Sequence, residues 1–404
     1  MDKFLFEIAL QIQEPLYLVS YTFDEKHGLH VYIDFREGAH FDCQKCGSMQ
    51  TEVHDTKPKT WRHLDFFQYK CYIHFRTPRV DCYACGIYTW TPPWAQPGSK
   101  FTEMFERFVM MLANSMPVTK IAIQVREHDT RLWRIIKRYV NIAYKVMDFS
   151  NLVKVGIDET SSQKGHKYIS VFSDMETGNV VFATPGKHAE TVKEFADELI
   201  LHNAQASQIK HAAMDMSGAY ISGLPKYLPN AEITFDKFHV IQLLNRAVDE
   251  VRREECRGNV ILKGSRQVWL KNPGSLTVEQ AQQLETLSKE NLKTSKAYQM
   301  KLTLQDIYQH VYYHPAAAVI AIKKWLRWAD RSRLEPIKVF AKTIKTNFDG
   351  VINYFYTRLT SGLVEGINSR IQEIKRRARG FRNTDNYIAM VYLVAGGLDI
   401  PALY

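Results

Sequence analysis

Two Cys-x-x-Cys pairs constrain this chain more than any other feature. They are Cys43 and Cys46 in "FDCQKCGS" and Cys82 and Cys85 in "VDCYACGI", each closed by a glycine that frees the backbone to turn. Two such knuckles bring four thiolates to one ion, the tetrahedral zinc site of a ribbon, so Zn2+ is expected as a structural ion. The competing reading, two disulfides, needs an oxidising compartment. Against it, the start "MDKFLFEIALQIQEP" carries Asp2 and Glu7 and no small-residue cleavage site, so no signal peptide is expected and the protein is read as cytoplasmic. The apolar stretch "YIAMVYLVAGGL" is shorter than the roughly 18 residues that span a bilayer, so no membrane partner is expected. The 35 residues between the knuckles leave room for a β-hairpin around "QYKCYIHFR". Cys71 and Cys256 have no partner spacing and are read as small buried hydrophobes.

After the second knuckle, "YTWTPPWAQPGSKFT" holds three prolines and a glycine and reads as a linker, which ends an N-terminal zinc-ribbon domain at residues 1–98. Residues 99–148 are helical in pattern. "FTEMFERFVMMLANS" makes one helix, "PVTKIAIQV" a short second helix opened by Pro117, and "DTRLWRIIKRYV" a third with Asp129 or Thr130 as its N-cap. A short helix, a tight turn and a helix bearing Arg131, Arg134, Lys137 and Arg138 is the layout of a helix-turn-helix whose last helix enters the major groove of double-stranded DNA. A plain three-helix bundle has the same periodicity. Seven basic against two acidic residues between Lys120 and Lys145 favour the DNA reading, as does a whole-chain balance of 53 Lys and Arg against 43 Asp and Glu.

From Leu152 the period changes to two. "LVKVGIDETS" alternates and is read as a strand ending in Asp158, while "HKYISVFSD" and "VVFATP" form a hairpin. A helix "HAETVKEFADELILHN" precedes the strand "QIKHAAMDMS", which ends in Asp215, and "AEITFDKFHV" supplies a fifth strand. Three strands, helix, strand, helix, strand is an α/β order that suits a mixed five-stranded sheet whose two Asp-bearing strands lie side by side. Two carboxylates that close repel unless a cation lies between them. Oxygen ligands with no nearby thiolate suit Mg2+ or Mn2+, which promotes in-line displacement at phosphorus.

A third acid comes from "LVEGINSRIQEIKRRARGFRN", residues 363 to 383, read as one helix. Val364, Ile367, Ile371, Ile374 and Ala378 give it an apolar face, and Glu365, Asn368, Ser369, Gln372, Arg376 and Arg379 a polar stripe with Lys375 close by. If the apolar face packs on the sheet, Glu365 reaches the metal while Lys375, Arg376 and Arg379 hold DNA phosphates. A merely solvated charged face is the alternative.

The blocks "GIDE", "AAMDMSGAY", "FDKFHV" and "LVEGINSRIQEIKRRARGFRN" resemble the catalytic blocks of bacterial insertion-sequence transposases of the ISL-three family. The ribbon followed by a helix-turn-helix resembles that family too, so the likeness covers almost the whole chain. It implies an RNase H-like DDE domain with a catalytic, magnesium-binding triad of Asp158, Asp215 and Glu365. It also implies a helical insertion, here residues 257–355, between a first catalytic part at 149–256 and a C-terminal part at 356–404. The implied activity is binding of the element's terminal inverted repeats, metal-dependent DNA cleavage and strand transfer, with element ends and target DNA as partners and a homo-oligomer assembled on DNA. Two rivals share much of this pattern: a DNA-binding regulator with an inert domain, and a structure-selective nuclease that does not join ends.

Other residues carry double readings. Asp236 is either a fourth metal-proximal acid or the N-cap of the helix that follows. His239 is a core or phosphate-side residue rather than a base, and Trp325 and Trp328 either stack on a flipped base or sit in a core.

Overall fold

Between the cysteine knuckles the computed structural model places one long hairpin, residues 52–82. The structure describes residues 2–10, 12–24, 28–49, 51–163, 165, 167–309, 315–357, 359 and 362–400, with the backbone alone for 2–5 and 362–365. The chain forms two compact units, residues 1–142 with 399–404 and residues 143–398.

In the first unit, helix α1 (Asp2–Ala9) leads into strands β1 (Leu16–Phe23) and β2 (Gly28–Phe35). The hairpin strands β3 (Glu52–Phe66) and β4 (Tyr69–Cys82) follow, then the short β5 (Gly86–Thr89). The sheet runs β1-β2-β4-β3, with β5 on β4. Period-two alternation turns Leu29, Val31 and Ile33 of β2 to the same buried face as Ile73 and Phe75 of β4 and Trp61 of β3. The segment 88–102, expected to be a linker, is instead packed: the Trp90 ring lies 4.7 Å from Phe41 and the Trp94 ring 5.3 Å from Phe75. Indoles carry too much apolar surface to be left in water, and burying them ties the ribbon to the helices beyond.

Those helices are α2 (Glu103–Ser115), α3 (Val118–Gln124) and α4 (Asp129–Lys145). Thr102 caps α2, its hydroxyl accepting from Phe105 N at 3.3 Å. The expected cap of α4 is corrected: Asp129 already lies in the helix, and the His128 ring Nδ1 stands 3.3 Å from Thr130 N. Leu132, Ile135, Ile136 and Val140 bury one face of α4. Beside that face the wholly buried Glu106 of α2 takes Ser99 Oγ at 2.6 Å, Tyr139 Oη at 3.1 Å and the Arg138 guanidinium. Arg62 of β3 is likewise buried, paired with Asp65 and 3.6 Å from Glu127, which in turn pairs with Arg131.

The second unit holds the other sheet. Its elements in order are β6 (Lys154–Gln163), β7 (Lys167–Asp174), β8 (Val180–Pro185), α5 (Ala189–Leu201), β9 (His211–Met214), α6 (Gly218–Tyr227), β10 (Glu232–Phe235) and α7 (Lys237–Cys256). Helices α8 (Arg266–Leu270), α9 (Val278–Ser288), α10 (Lys293–Gln309), α11 (Pro315–Asp330), α12 (Glu335–Thr346) and α13 (Phe348–Thr357) follow, over the stretch expected as a helical insertion. Helices α14 (Gly362–Arg377) and α15 (Thr384–Ala395) close the unit. The strand order is β10-β9-β6-β7-β8. β6, β7 and β8 are antiparallel neighbours, whereas β9 and β10 add on in parallel, which is the RNase H-like mixed sheet. The strand read as ending at Asp158 runs on to Gln163, because β7 continues to pair with it after β9 has stopped.

Both sheet edges are covered, which removes unpaired strand surface. On β8, Ala183 N donates to the Tyr392 hydroxyl of α15 at 2.9 Å. On β10, Asn353 of α13 donates to Ile233 O at 2.9 Å, and Gly350 lies so close that an added Cβ would stand 2.3 Å from the Phe235 ring. Helix α13 thus serves the sheet although most of it falls inside the segment expected as insertion. Within the insertion Trp325 is core, its indole N–H donating to Met300 O at 2.8 Å, while Trp328 is partly exposed. The buried Lys301 ammonium caps α8 through the carbonyls of Trp269, Leu270 and Lys271, and burial pulls its pKa down to about 8.

Arg138→Ala leaves the Glu106 carboxylate buried without its cation and should cost about 3 kcal/mol of stability, measured by denaturant unfolding. Wild-type stability with weakened DNA binding would instead mark Arg138 as a DNA contact.

Candidate active site

The parallel pairing of the three strands β6, β9 and β10 ends on one row, Ile157 with Met214 and Met214 with Phe235. The next residue on each is an aspartate: Asp158, Asp215 and Asp236. Adjacent strands stand about 5 Å apart, where two unit charges at an effective dielectric of about 20 repel by about 3 kcal/mol. The row is therefore a place where negative charge is concentrated by the backbone register itself.

The three acids are not equivalent. Asp158 is half-buried and accepts from its neighbour Glu159 N at 2.7 Å and from the Asn368 amide of α14. Burial pushes its pKa up; the Asn368 hydrogen bond, the Glu159 N–H and the nearby His239 oppose that. Asp215 accepts from Ser217 N at 3.0 Å. Its pKa is also raised, first by burial and further by the charge of Asp158, against the Ser217 hydrogen bond, His239 and Lys187. Asp236 turns its carboxylate to cap α7, accepting from Phe238 N at 2.9 Å, so the N-cap reading holds for it. His239, on the first turn of α7, lies 3.9 Å from Asp236 and is close enough to Asp158 and Asp215 to shift both.

Helix α14 lies along β6. Ile367, Ile371 and Ile374 are buried, as its periodicity requires. Asn368 meets Asp158, Gln372 donates to Thr160 Oγ1 at 3.0 Å, and Lys375 donates to Ser161 O at 2.6 Å. These side chains at i, i+4 and i+7 follow the strand outward from the acid row. Glu365 stands one turn before Asn368 in the helix backbone; its side chain lies outside the described residues. The helix does not reach residue 383. It ends at Arg377, after which Arg379 and Gly380 take φ of 55° and 92° and Gly380 N returns to Lys375 O at 2.9 Å. Left-handed residues stop a helix in this way. Of the cations expected to hold DNA, Arg376 and Arg379 are exposed, whereas Lys375 is occupied by the strand backbone.

Two side chains not singled out earlier border the site. Lys187 Nζ is 3.0 Å from Glu159 Oε1 and 4.2 Å from the Tyr168 ring centre, and its charge reaches Asp215. Asn368 was visible only as one member of a polar stripe, since nothing in its own sequence neighbourhood names the carboxylate it meets.

The four knuckle cysteines converge, with all their sulphurs within 4.8 Å of one another. Among the described residues they are the one group of three or more such ligands that gathers so closely; Asp158 and Asp215 form a pair. The Cys46 and Cys82 sulphurs are 3.6 Å apart. That is far beyond a disulfide bond of about 2.05 Å and close to the edge, about 3.8 Å, of a tetrahedron with zinc–sulphur bonds of about 2.3 Å. Gly47 and Gly86 take φ of 75° and 67°, a turn that a Cβ would strain. The Tyr88 hydroxyl donates to Cys43 Sγ at 3.3 Å and is the main cause holding that thiol down to about 6. A soft, tetrahedral four-sulphur set fits zinc.

On α4, Arg131 and Arg138 are engaged within the unit by Glu127 and Glu106, and Arg131 also lies 4.5 Å over the Phe101 ring. Arg134 is exposed and Lys137 half-buried.

Comparison with known proteins gives three family matches. Residues 155–391, over half of the chain, match an ISL3 family described as "Transposase". Residues 91–140 match "Helix-turn-helix domain of transposase family ISL3". Residues 40–85, spanning the four cysteines, match "zinc-finger of transposase IS204/IS1001/IS1096/IS1165". The chain is 29% identical over 360 residues to the transposase for insertion sequence element IS1001 of Bordetella parapertussis, covering 86% of this chain and 87% of that one. It is 27% identical over 368 residues to the transposase for insertion sequence element IS1557 of Mycobacterium tuberculosis strain CDC 1551, covering 84% and 82%.

Metal analysis of protein purified without chelator should find one zinc per chain, lost in Cys82→Ser along with the fold of the first unit. Zinc-free protein with that unit intact would contradict the site.

Proposed function

The chain belongs to the ISL3 family of transposases, and on that premise we propose that it binds the terminal inverted repeats of its own insertion sequence and carries out metal-dependent cleavage and strand transfer at their ends. The observation that carries this reading is the acid row at the end of the parallel register, with α14 laid against it. Asp158 and Asp215 are the first two ligands of a divalent cation, Mg2+ or Mn2+, and Glu365 is the third. The donor chemistry supports this: half-buried carboxylate oxygens whose pKa is raised are short of positive charge, and no thiolate competes at the site. When bound, divalent cations there polarise the attacking water or 3'-hydroxyl and neutralise the leaving oxyanion in an in-line displacement at phosphorus.

The protein's own residues orient the site. The Asn368 amide holds one Asp158 oxygen in a fixed rotamer, and Ser217 N–H does the same for Asp215. Lys187 supplies positive potential beside the two acids, and His239 stands near both, where a phosphodiester would otherwise be repelled. The ribbon and helix-turn-helix unit supplies end recognition, with Arg134 as the cation best placed to reach a base edge and Arg376 and Arg379 as backbone contacts. Zinc is structural, and the protein acts as a homo-oligomer on DNA so that two ends are held together.

Glu365→Gln keeps the helix and the side-chain size but removes the anionic oxygen, so folding and end binding should survive while cleavage falls to the protein-free level. Asp158→Asn and Asp215→Asn should behave alike, since ligands of one centre fail together. The assay is cleavage of a duplex carrying the element's end with Mg2+ or Mn2+, beside a binding assay on the same duplex. Near wild-type cleavage by Glu365→Gln would remove it from the site.

A further inference from the structure

The tip of the β3–β4 hairpin has a feature its fold alone does not call for. Phe66 pairs with Tyr69, leaving a two-residue loop of Phe67 and Gln68. Phe67 takes φ of 54° and is 82% exposed. Tight hairpin loops favour glycine, asparagine or aspartate at left-handed positions, so a phenylalanine there carries both a conformational cost and an unfavourable exposure. Its ring is not loose: Phe66 meets it edge-on at 4.9 Å, and Phe66 in turn rests 5.6 Å from Phe6.

The tip is also anchored at one particular place. A bulge between His63 and Phe66 breaks the pairing, and there Asp65 reaches Arg126 at 2.5 Å. Across the hairpin Lys70 donates to Arg126 O at 3.0 Å. Arg126 lies in the turn between α3 and α4, with a left-handed φ of 55° of its own. The hairpin tip is therefore tied to the turn that precedes α4, through Asp65 and Lys70 to Arg126, and Arg134 is exposed on that helix. The base of the tip thus carries Lys70 and the Asp65–Arg126 pair, and joins the helix pair read as DNA-binding.

We propose that this tip is an aromatic wedge for duplex DNA, in which Phe67 enters the duplex next to the site contacted by α4 and partly unstacks a base step. Apolar side chains inserted between base steps bend DNA and let it wrap more of the protein, with flanking cations taking the phosphates. The tether through Arg126 makes wedge and helix one reading head, so that α4 engages its site only when the duplex yields at the wedge. This rests on α3 and α4 being the DNA-reading pair.

The test uses the full-length protein and a duplex bearing the terminal repeat that flanks its gene, labelled for end-to-end energy transfer and carrying 2-aminopurine at successive steps. Phe67→Gly suits the left-handed backbone, so it should unfold no earlier than wild type, and Phe67→Trp keeps an aromatic wedge. Phe67→Gly is expected to weaken binding by at least about fivefold, to abolish the bend and to quench the local 2-aminopurine signal, with Phe67→Trp restoring all three. Wild-type affinity and bending in Phe67→Gly would overturn the wedge. Arg134→Ala separates the two readings: if it weakens specific binding while Phe67→Gly does not, the helix pair stands and the wedge falls. Loss of self-association in Phe67→Gly with DNA binding and bending intact would likewise overturn it, placing the ring in a protein interface.

Discussion

Three parallel strands in one register place Asp158, Asp215 and Asp236 on a single row, and the second unit is organised around containing that charge. Each acid is answered differently. Asp236 is neutralised in effect by the first turn of α7, whose N–H groups and dipole favour a carboxylate. Asp158 receives an amide from α14 and Asp215 a backbone N–H from the turn into α6, and both keep raised pKa values because burial outweighs these donors. The register itself depends on edges that cannot slip. Helix α13 locks β10 through Asn353 and the close approach at Gly350, and α15 holds β8 through Tyr392. Helix α13, which precedes α14, thus packs against the strand whose end carries Asp236.

The first unit depends on a single long hairpin used at both ends. At its open end the cysteine knuckles draw the strands together; at its closed end Arg62, Asp65, Arg126 and Glu127 bind it to the turn of the helix pair. Arg62 is buried, so its charge is tolerable only with both carboxylates in place. Ribbon and helices are thereby joined by ion pairs within one unit. Cations that a helical wheel would assign to DNA, Arg131 and Arg138, are spent on this internal framework, and the exposed Arg134 is left to face outward.

Much of this was legible in the sequence, for identifiable reasons. The cysteine spacing is a local ligand geometry and needs no tertiary information. The order of strands in the second unit follows from period-two runs between helices, and the acids Asp158, within β6, and Asp215, just after β9, could be read from position alone. What was not legible depended on partners far along the chain. The strand at Asp158 was cut short because its continuation is held by β7 and not by its own alternation. The tryptophans at positions 90 and 94 looked like linker residues because prolines surround them, yet their indoles fill the gap over Phe41 and Phe75. Helix α14 was drawn too long because Arg379 carries no sequence sign of a left-handed residue, although Gly380 beside it does. The strands β1 and β2 carry no motif of their own, and their place in the sheet is set by the parallel pairing of β2 with the distant β4.

We propose that the acid row, completed from α14, holds a divalent metal. Its most direct test is iron-directed cleavage: Fe2+ loaded in place of Mg2+, with ascorbate, generates hydroxyl radicals that cut the backbone only near the bound ion. The expected result is cuts clustered around Asp158 in the middle of β6, after β9 and at the start of α14, suppressed by excess Mg2+ and absent in Asp158→Asn. Cutting confined to other regions, or unchanged by Mg2+ and by loss of Asp158, would contradict the account.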